Sequence, residues 1–175
     1  ESVYNFPKEA HYRYFPDQLG GMTRCWNEGV KYAVENGNDF FCVTNEDVYF
    51  NNTINNFFSD IEKHELKHTS VYGPLSDCPT AFTSQRAKTT STGFKDVTRG
   101  GTPIHGWFLS FSVDYYKKFK DLENNIFDKS RIWRGQESFQ HENRPGGSKS
   151  FVVNSCLIHH DHEGSWRKTI LDIKQ

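Results

Sequence analysis

An α/β fold is what this chain predicts, on three observations. Amphipathic stretches with the 3.6-residue period of a helix alternate with short apolar runs that lack it. Those runs are bounded by polar, Gly or Pro residues, as strands covered on both faces are. The 175 residues leave room for a single domain, taken here as 1–175.

In chain order, Leu19, Met22, Trp26, Val30, Ala33 and Val34 recur at steps of three and four between Pro16-Asp17 and Gly37, predicting a helix over about 18–36. Phe40 to Thr44 then reads as a buried strand, with the polar cluster Asn45-Glu46-Asp47 at its carboxyl end. A second amphipathic stretch runs from Thr53 through Ile54, Phe57, Phe58 and Ile61 to Leu66, and Ser70 to Leu75 forms the next strand. Residues 76–105 are rich in Ser, Thr and Gly without periodicity, which predicts a mobile loop on the substrate side. Order resumes in a strand over 106–111, a short helix from Asp114 to about Lys120, a helical segment over 135–142 and a turn at Arg144-Pro145-Gly146-Gly147. The last strand, Ser150 to Ile158, leads into His159-His160-Asp161-His162-Glu163.

Composition excludes several classes. Lys+Arg 21 against Asp+Glu 22 leaves a formal charge of -1, with no basic excess to hold nucleic acid or an anionic membrane. No run reaches the ~20 apolar residues of a membrane span, and the opening residues have no leader pattern, so the expectation is a soluble, cytoplasmic chain. Mean hydropathy is low at -0.77, but 15 Phe, 8 Tyr and 4 Trp predict a core heavy in aromatic rings. Cys25, Cys42, Cys78 and Cys156 are scattered without a C-x-x-C pair, as reduced thiols rather than a disulfide framework. The sequon at Asn51-Asn52-Thr53 is short enough to arise by chance.

Three constellations can carry chemistry. Asn45-Glu46-Asp47 ends a strand at the edge where α/β sheets collect ligands, and a carboxylate there can hold a hard cation; the plainer reading is a solvated acidic turn. The histidine string can ligate a metal, or be merely a polar strand end. Glu137, following Trp133-Arg134-Gly135-Gln136, is either a half-buried general base or a carboxylate satisfied by a helix amino terminus.

Taken together, the order of these pieces resembles the inverting family 2 nucleotide-sugar glycosyltransferases over roughly 20–167. Asn27-Glu28-Gly29 with Ala33 and Gly37 is similar to their N-x-G helix, and Phe40 to Asp47 to the apolar strand ending in D-x-D or N-x-D. Gly106-Trp107-Phe108-Leu109 is similar to their acceptor segment, Phe127-Asp128 with Gly135-Gln136-Glu137 to the aromatic-Gly-Glu-Asp signature, and Val152-Val153 through His160 to Ser165 to the closing strand with its His and Ser.

The resemblance implies a GT-A fold, a Rossmann-like mixed sheet flanked by helices. The family's opening strand, first crossover and base-reading acid have no counterpart in these residues, so the resemblance implies either a fold shortened at its start or one that continues into residues outside this sequence. It also implies Arg24, Asn27, Asn45 and Asp47 on the donor side, Gly106, Trp107 and Gln136 at the acceptor, and Asp47 with His160 on Mn2+ or Mg2+. Glu137 stands where the family has its catalytic Asp, and Phe139 where a second acid is common. The implied reaction moves a sugar, by default from a UDP donor, to a glycan hydroxyl with inversion. Two other classes stay open: a non-catalytic carbohydrate- or protein-binding module on the same scaffold, and a hydrolase built on a metal at His159, His160 and His162.

Overall fold

Three strands run parallel and three run against them in one six-stranded mixed sheet, built from the residues that the computed structural model describes: 22–45, 47–100, 103–130 and 135–160. The elements are α1 Met22–Glu35, β1 Phe40–Thr44, β2 Val48–Phe50, α2 Ile54–Lys63, β3 Ser70–Ser76, β4 Phe94–Asp96, β5 Phe108–Ser112, α3 Val113–Phe119, α4 Gly135–Glu142 and β6 Lys149–His160. The sheet order is β1-β5-β3-β6-β2, and β4 also pairs with β6. β3 and β6 are parallel, and β5 is antiparallel to both β1 and β3. The carboxyl ends of β1, β3 and β6 therefore share one edge with the amino ends of β5 and β2.

Both faces of the sheet are covered, which is why the strands read as continuous apolar runs. On one face α1, α3 and α4 bring Trp26, Val30, Tyr115, Tyr116 and Phe139 against Phe41, Val71, Phe111 and Val152. On the other, Ile54, Phe57 and Ile61 of α2 pack with Tyr72, Phe108, Phe151, Val153 and Ile158. Adjacent strand residues Val71 and Tyr72 go to opposite cores, as do Val152 and Val153. Many core rings meet edge to face, among them Trp26 on Phe127 at 5.4 Å and Phe57 on Phe108 at 5.1 Å.

The helix predicted from residue 18 is described from Met22, its first four residues lying outside the described set. It stops where expected: Gly37 takes φ 76°, and the Asn38 amide donates to the Ala33 carbonyl at 3.1 Å. α2 is shorter than predicted and ends at Lys63, because His64 turns extended and its Nδ1 meets the Tyr72 hydroxyl at 2.6 Å. The strand expected over 106–111 begins at Phe108, and Gly106 and Trp107 lie in the turn before it.

β6 runs two residues beyond prediction because β2 pairs with its end, Val48 opposite His160. The register between β3 and β6 shifts after Pro74, leaving Asn154, Ser155 and Cys156 unmatched. Before this bulge β6 pairs with β4, and after it with β2. Within the stretch predicted as a loop, the structure places β4 and a bridge of Ser76 to Arg86, with Ser91 donating to the Asn154 carbonyl at 2.9 Å.

Asn27 is a correction to the sequence reading, which placed it on the donor side. It is 1% exposed, its Nδ2 donates to the Phe127 carbonyl at 2.8 Å, and its Oδ1 accepts from the amides of Ile126 and Phe127 at 3.0 Å each. The side chain clamps α1 to a loop 100 positions away and has no face left for a ligand. Asn27→Ala strands three buried backbone groups and is expected to cost about 3 kcal/mol, lowering the thermal midpoint by roughly 6 to 12 °C for a chain of this size. Glu28→Ala, on the exposed side of the same helix, is the control and leaves the midpoint unchanged.

Candidate active site

The chain crosses the carboxyl edge of the sheet between β1 and β2, and this crossing carries Asn45 and Asp47. Thr44 pairs with Phe108, so the crossing starts against the entry to β5, and the Asn45 amide donates to the Trp107 carbonyl at 2.8 Å. Val48 pairs with His160, so Asp47, one residue earlier, arrives beside that imidazole. Its Oδ1 lies 3.2 Å from His160 Nε2, both side chains being largely buried.

Stacked rings extend from this pair. Trp107 lies on His160 with centroids 4.2 Å apart and planes 6° from parallel, and His105 lies on Trp107 at 3.8 Å and 18°. Phe82 covers His105 at 4.1 Å and 20°. Glu137, in the first turn of α4, reaches the same run: its Oε1 is 3.3 Å from His105 Nδ1, with side chains 16% and 17% exposed. The two carboxylates thus meet one continuous run of rings, each through its own histidine.

The sequence reading missed His105, yet the surrounding structure is committed to holding it. Its amide donates to Gln85 Oε1 at 2.7 Å, while Gln85 Nε2 donates to the Pro74 carbonyl at 2.9 Å. Gln140 takes the preceding residue on both sides, accepting from the Ile104 amide and donating to its carbonyl, each at 2.8 Å. Both glutamines are buried. Glycine at position 73 makes this approach possible, since a Cβ there would meet Ile104 Cγ2 at 2.1 Å and Gln85 Nε2 at 3.1 Å. Gly73→Ala is expected to push the 104–105 segment away from the sheet at an overpacking cost of about 1 to 3 kcal/mol. A lower thermal midpoint, with altered histidine ring resonances by NMR, is the measurement; an unchanged spectrum would reject this account.

The remaining expected site residues divide. Trp107 is 8% exposed and stacked on two imidazoles, so the expectation that it lines an acceptor pocket is corrected: its indole props the histidines. Gly106 is buried in the turn between them. Arg24 lies exposed on α1 in electrostatic range of Lys129, in the loop that follows α3, and outside the ring run. Gln136 belongs to α4, but its side chain lies outside the described residues, as do Glu46 and residues 161–175 with His162 and Ser165. Of the expected histidine string only His159 and His160 are described, and they do not share a face. His159 and His160 alternate along β6: His159 is exposed with Nδ1 2.9 Å from Asp77 Oδ1, while His160 is buried against Trp107. A hydrolase centre that needs both on one metal is therefore not built.

Four atoms around the crossing test the fit of a cation. Asn45 Oδ1, Asp47 Oδ1 and both ring nitrogens of His160 are buried with no hydrogen-bond partner among the described residues. Asp47 and His160 are close but misaligned for a hydrogen bond, and such orphaned polar atoms are costly unless something binds them. A carboxylate oxygen beside an imidazole nitrogen suits Mn2+ better than Mg2+, which favours oxygen throughout. No group of three or more His, Cys, Asp and Glu gathers for a metal among the described residues, so this pair would hold a cation only together with oxygens from a ligand.

A cleft of about 380 Å³ lies elsewhere, between α2 and the approach to β4, lined by Asp60, Lys63, His64, Glu65 and Phe94 among others. Three of its polar side chains are engaged with the protein: Asp60 Oδ2 accepts from Ser155, Lys63 donates to Ser59, and His64 meets Tyr72. Burial pushes the His64 imidazole below its ordinary value, against a smaller upward pull from Glu65. The ring run is the better candidate, because polar atoms at its Asp47 end lack hydrogen-bond partners among the described residues. No helix among the described residues is long and apolar enough to cross a membrane. No family model, no curated protein and no solved structure matches the chain.

Proposed function

We propose that the sheet is of the GT-A kind and that the chain transfers a sugar, with inversion, from a nucleoside diphosphate donor to a hydroxyl of a carbohydrate acceptor. One observation carries the reading: two carboxylates, each against a histidine, meet a single run of stacked rings at the sheet edge, and the polar atoms at the Asp47 end lack hydrogen-bond partners among the described residues. Asp47 and His160 would hold Mn2+, with Asn45 Oδ1 turned to the same locality. Bound there, the cation supplies positive charge to the departing diphosphate.

Glu137 takes the proton of the acceptor hydroxyl as that oxygen bonds to the anomeric carbon. The bond from that carbon to the diphosphate breaks, and its electron pair leaves with the phosphate oxygen. Attack opposite the leaving group inverts the anomeric centre. A base at one part of the ring run and a cation-holding pair at another are what such a displacement needs.

Thermal titration tests the reading. With Mn2+ and UDP at about 100 times the dissociation constant, mass action adds about 2.7 kcal/mol, a rise of roughly 5 to 11 °C. The rise is expected only with metal and nucleotide together, across a panel that includes GDP. A response to free oligosaccharide without any nucleotide would replace the transferase with a binding module, and no response to any nucleotide would reject it.

A further inference from the structure

We propose that His105 is the positioning residue for Glu137: it fixes where the carboxylate oxygen stands, without itself touching the reacting atoms. The inference rests on the transferase reading, and its ground is the way His105 is built in. The ring is clamped between Phe82 and Trp107, with interplanar angles of 20° and 18°, so it cannot tilt or flip without breaking two stacks. Its backbone is held by Gln85, and that of Ile104 by both polar ends of Gln140. Gln140 stands three residues after Glu137 on the same helix, nearly one turn along. α4 therefore carries both the carboxylate and the amide that anchors the segment bearing its imidazole partner. The Nδ1 to Oε1 separation of 3.3 Å is set by two contacts of one helix with one loop, not by the free rotation of a surface side chain.

Two buried glutamines, a glycine that admits Ile104 and a three-ring clamp are more structure than a chance ion pair requires. A carboxylate that must meet a hydroxyl within hydrogen-bond reach gains from such a fixed partner, and in ligand-free proteins these contacts are often loose and tighten with substrate bound. The same run of rings ends on His160 beside Asp47. Whatever shifts Trp107 disturbs both acids, so the base and the cation-holding pair keep a fixed spacing.

Two variants separate ring from nitrogen. His105→Phe keeps an aromatic ring between Phe82 and Trp107 and loses Nδ1. His105→Asn loses the ring and keeps an amide donor near the place of Nδ1. In the full chain, His105→Phe is expected to lower kcat by about 10- to 100-fold, the usual worth of a residue that orients a reacting group, with the KM for donor and the Mn2+–UDP midpoint rise unchanged. His105→Asn is expected to recover part of that loss despite a lower midpoint. Unchanged kcat in His105→Phe, with active wild type, would overturn the inference and leave the transferase reading standing.

A second measurement needs no turnover. In a stability cycle of His105→Phe, Glu137→Gln and the double variant, the midpoint shifts are expected to be non-additive, because both substitutions break the same contact. Additive shifts would overturn the pairing itself. Wild type that neither turns over nor responds to nucleotide would sink the transferase reading, and the positioning role with it, even where the cycle shows coupling.

Discussion

Asp47→Ala abolishes the stabilisation by Mn2+ and UDP while leaving the metal-free protein folded with an unchanged or slightly higher thermal midpoint. The two halves of this expectation have different causes. Asp47 Oδ1 is buried without a hydrogen-bond partner among the described residues, and its 3.2 Å approach to His160 is misaligned, so the carboxylate contributes little to the fold and bears a desolvation cost. Removing it changes stability by less than about 1 kcal/mol. The backbone around it stays in place through the Asn45 amide on the Trp107 carbonyl and the pairing of Val48 with His160. Ligand binding is another matter, since His160 alone offers a single nitrogen ligand and cannot keep a dication against water. The midpoint rise of roughly 5 to 11 °C expected for wild type falls to nothing. A variant that unfolds instead would show Asp47 to be a structural residue, and one that keeps the full rise would place the cation elsewhere.

The long elements are legible in the sequence because each carries several core positions. α1 shows its period in Met22, Trp26, Val30 and Ala33, and β3 and β5 show theirs as unbroken buried runs. β2 and β4 are not legible, because three residues hold no period and both form only against β6, some 60 to 110 positions away. That pairing also explains why His159 and His160 are strand residues with opposite surroundings rather than a string.

For the site, Asp47, His160, Trp107 and Glu137 stand out as residue types at the ends of apolar runs, and the structure brings all four into one run of contacts. His105 does not stand out: a lone histidine between Ile104 and Gly106 has no periodicity, and its anchors Gln85 and Gln140 are distant in the chain. Gln140 follows Phe139, a faint hint of a buried amide, but Gln85 stands between Ser84 and Arg86 and gives no signal of its own. Asn27 misleads for the converse reason, because an asparagine clamping a loop 100 positions on looks, from its own helix, like one facing a ligand.

Glu137→Gln leaves donor affinity intact and lowers turnover by about 10² to 10⁴, the range that general-base catalysis supplies, or about 3 to 5 kcal/mol of barrier. Glutamine keeps the length and planarity of the side chain in the first turn of α4, so the stack of Phe82, His105 and Trp107 is undisturbed and Asp47 with His160 is untouched. Donor binding read by the Mn2+–UDP midpoint is therefore the internal control. What the variant lacks is a carboxylate to receive the acceptor proton. Other nearby acids are poorly placed to substitute: Asp128 Oδ1 accepts from the Ser130 amide at 2.9 Å and its hydroxyl at 2.7 Å, and Glu142 is exposed at the far end of α4. Glu137 is largely buried and has a clamped imidazole against it, the setting in which a base is held at one spot and screened from water. A loss of kcat with KM for donor unchanged is the expected signature, since the interaction removed is made only as the proton moves. Full turnover in Glu137→Gln would transfer the role to Asp128 or Glu142, and would leave the His105 clamp without a reacting partner to position.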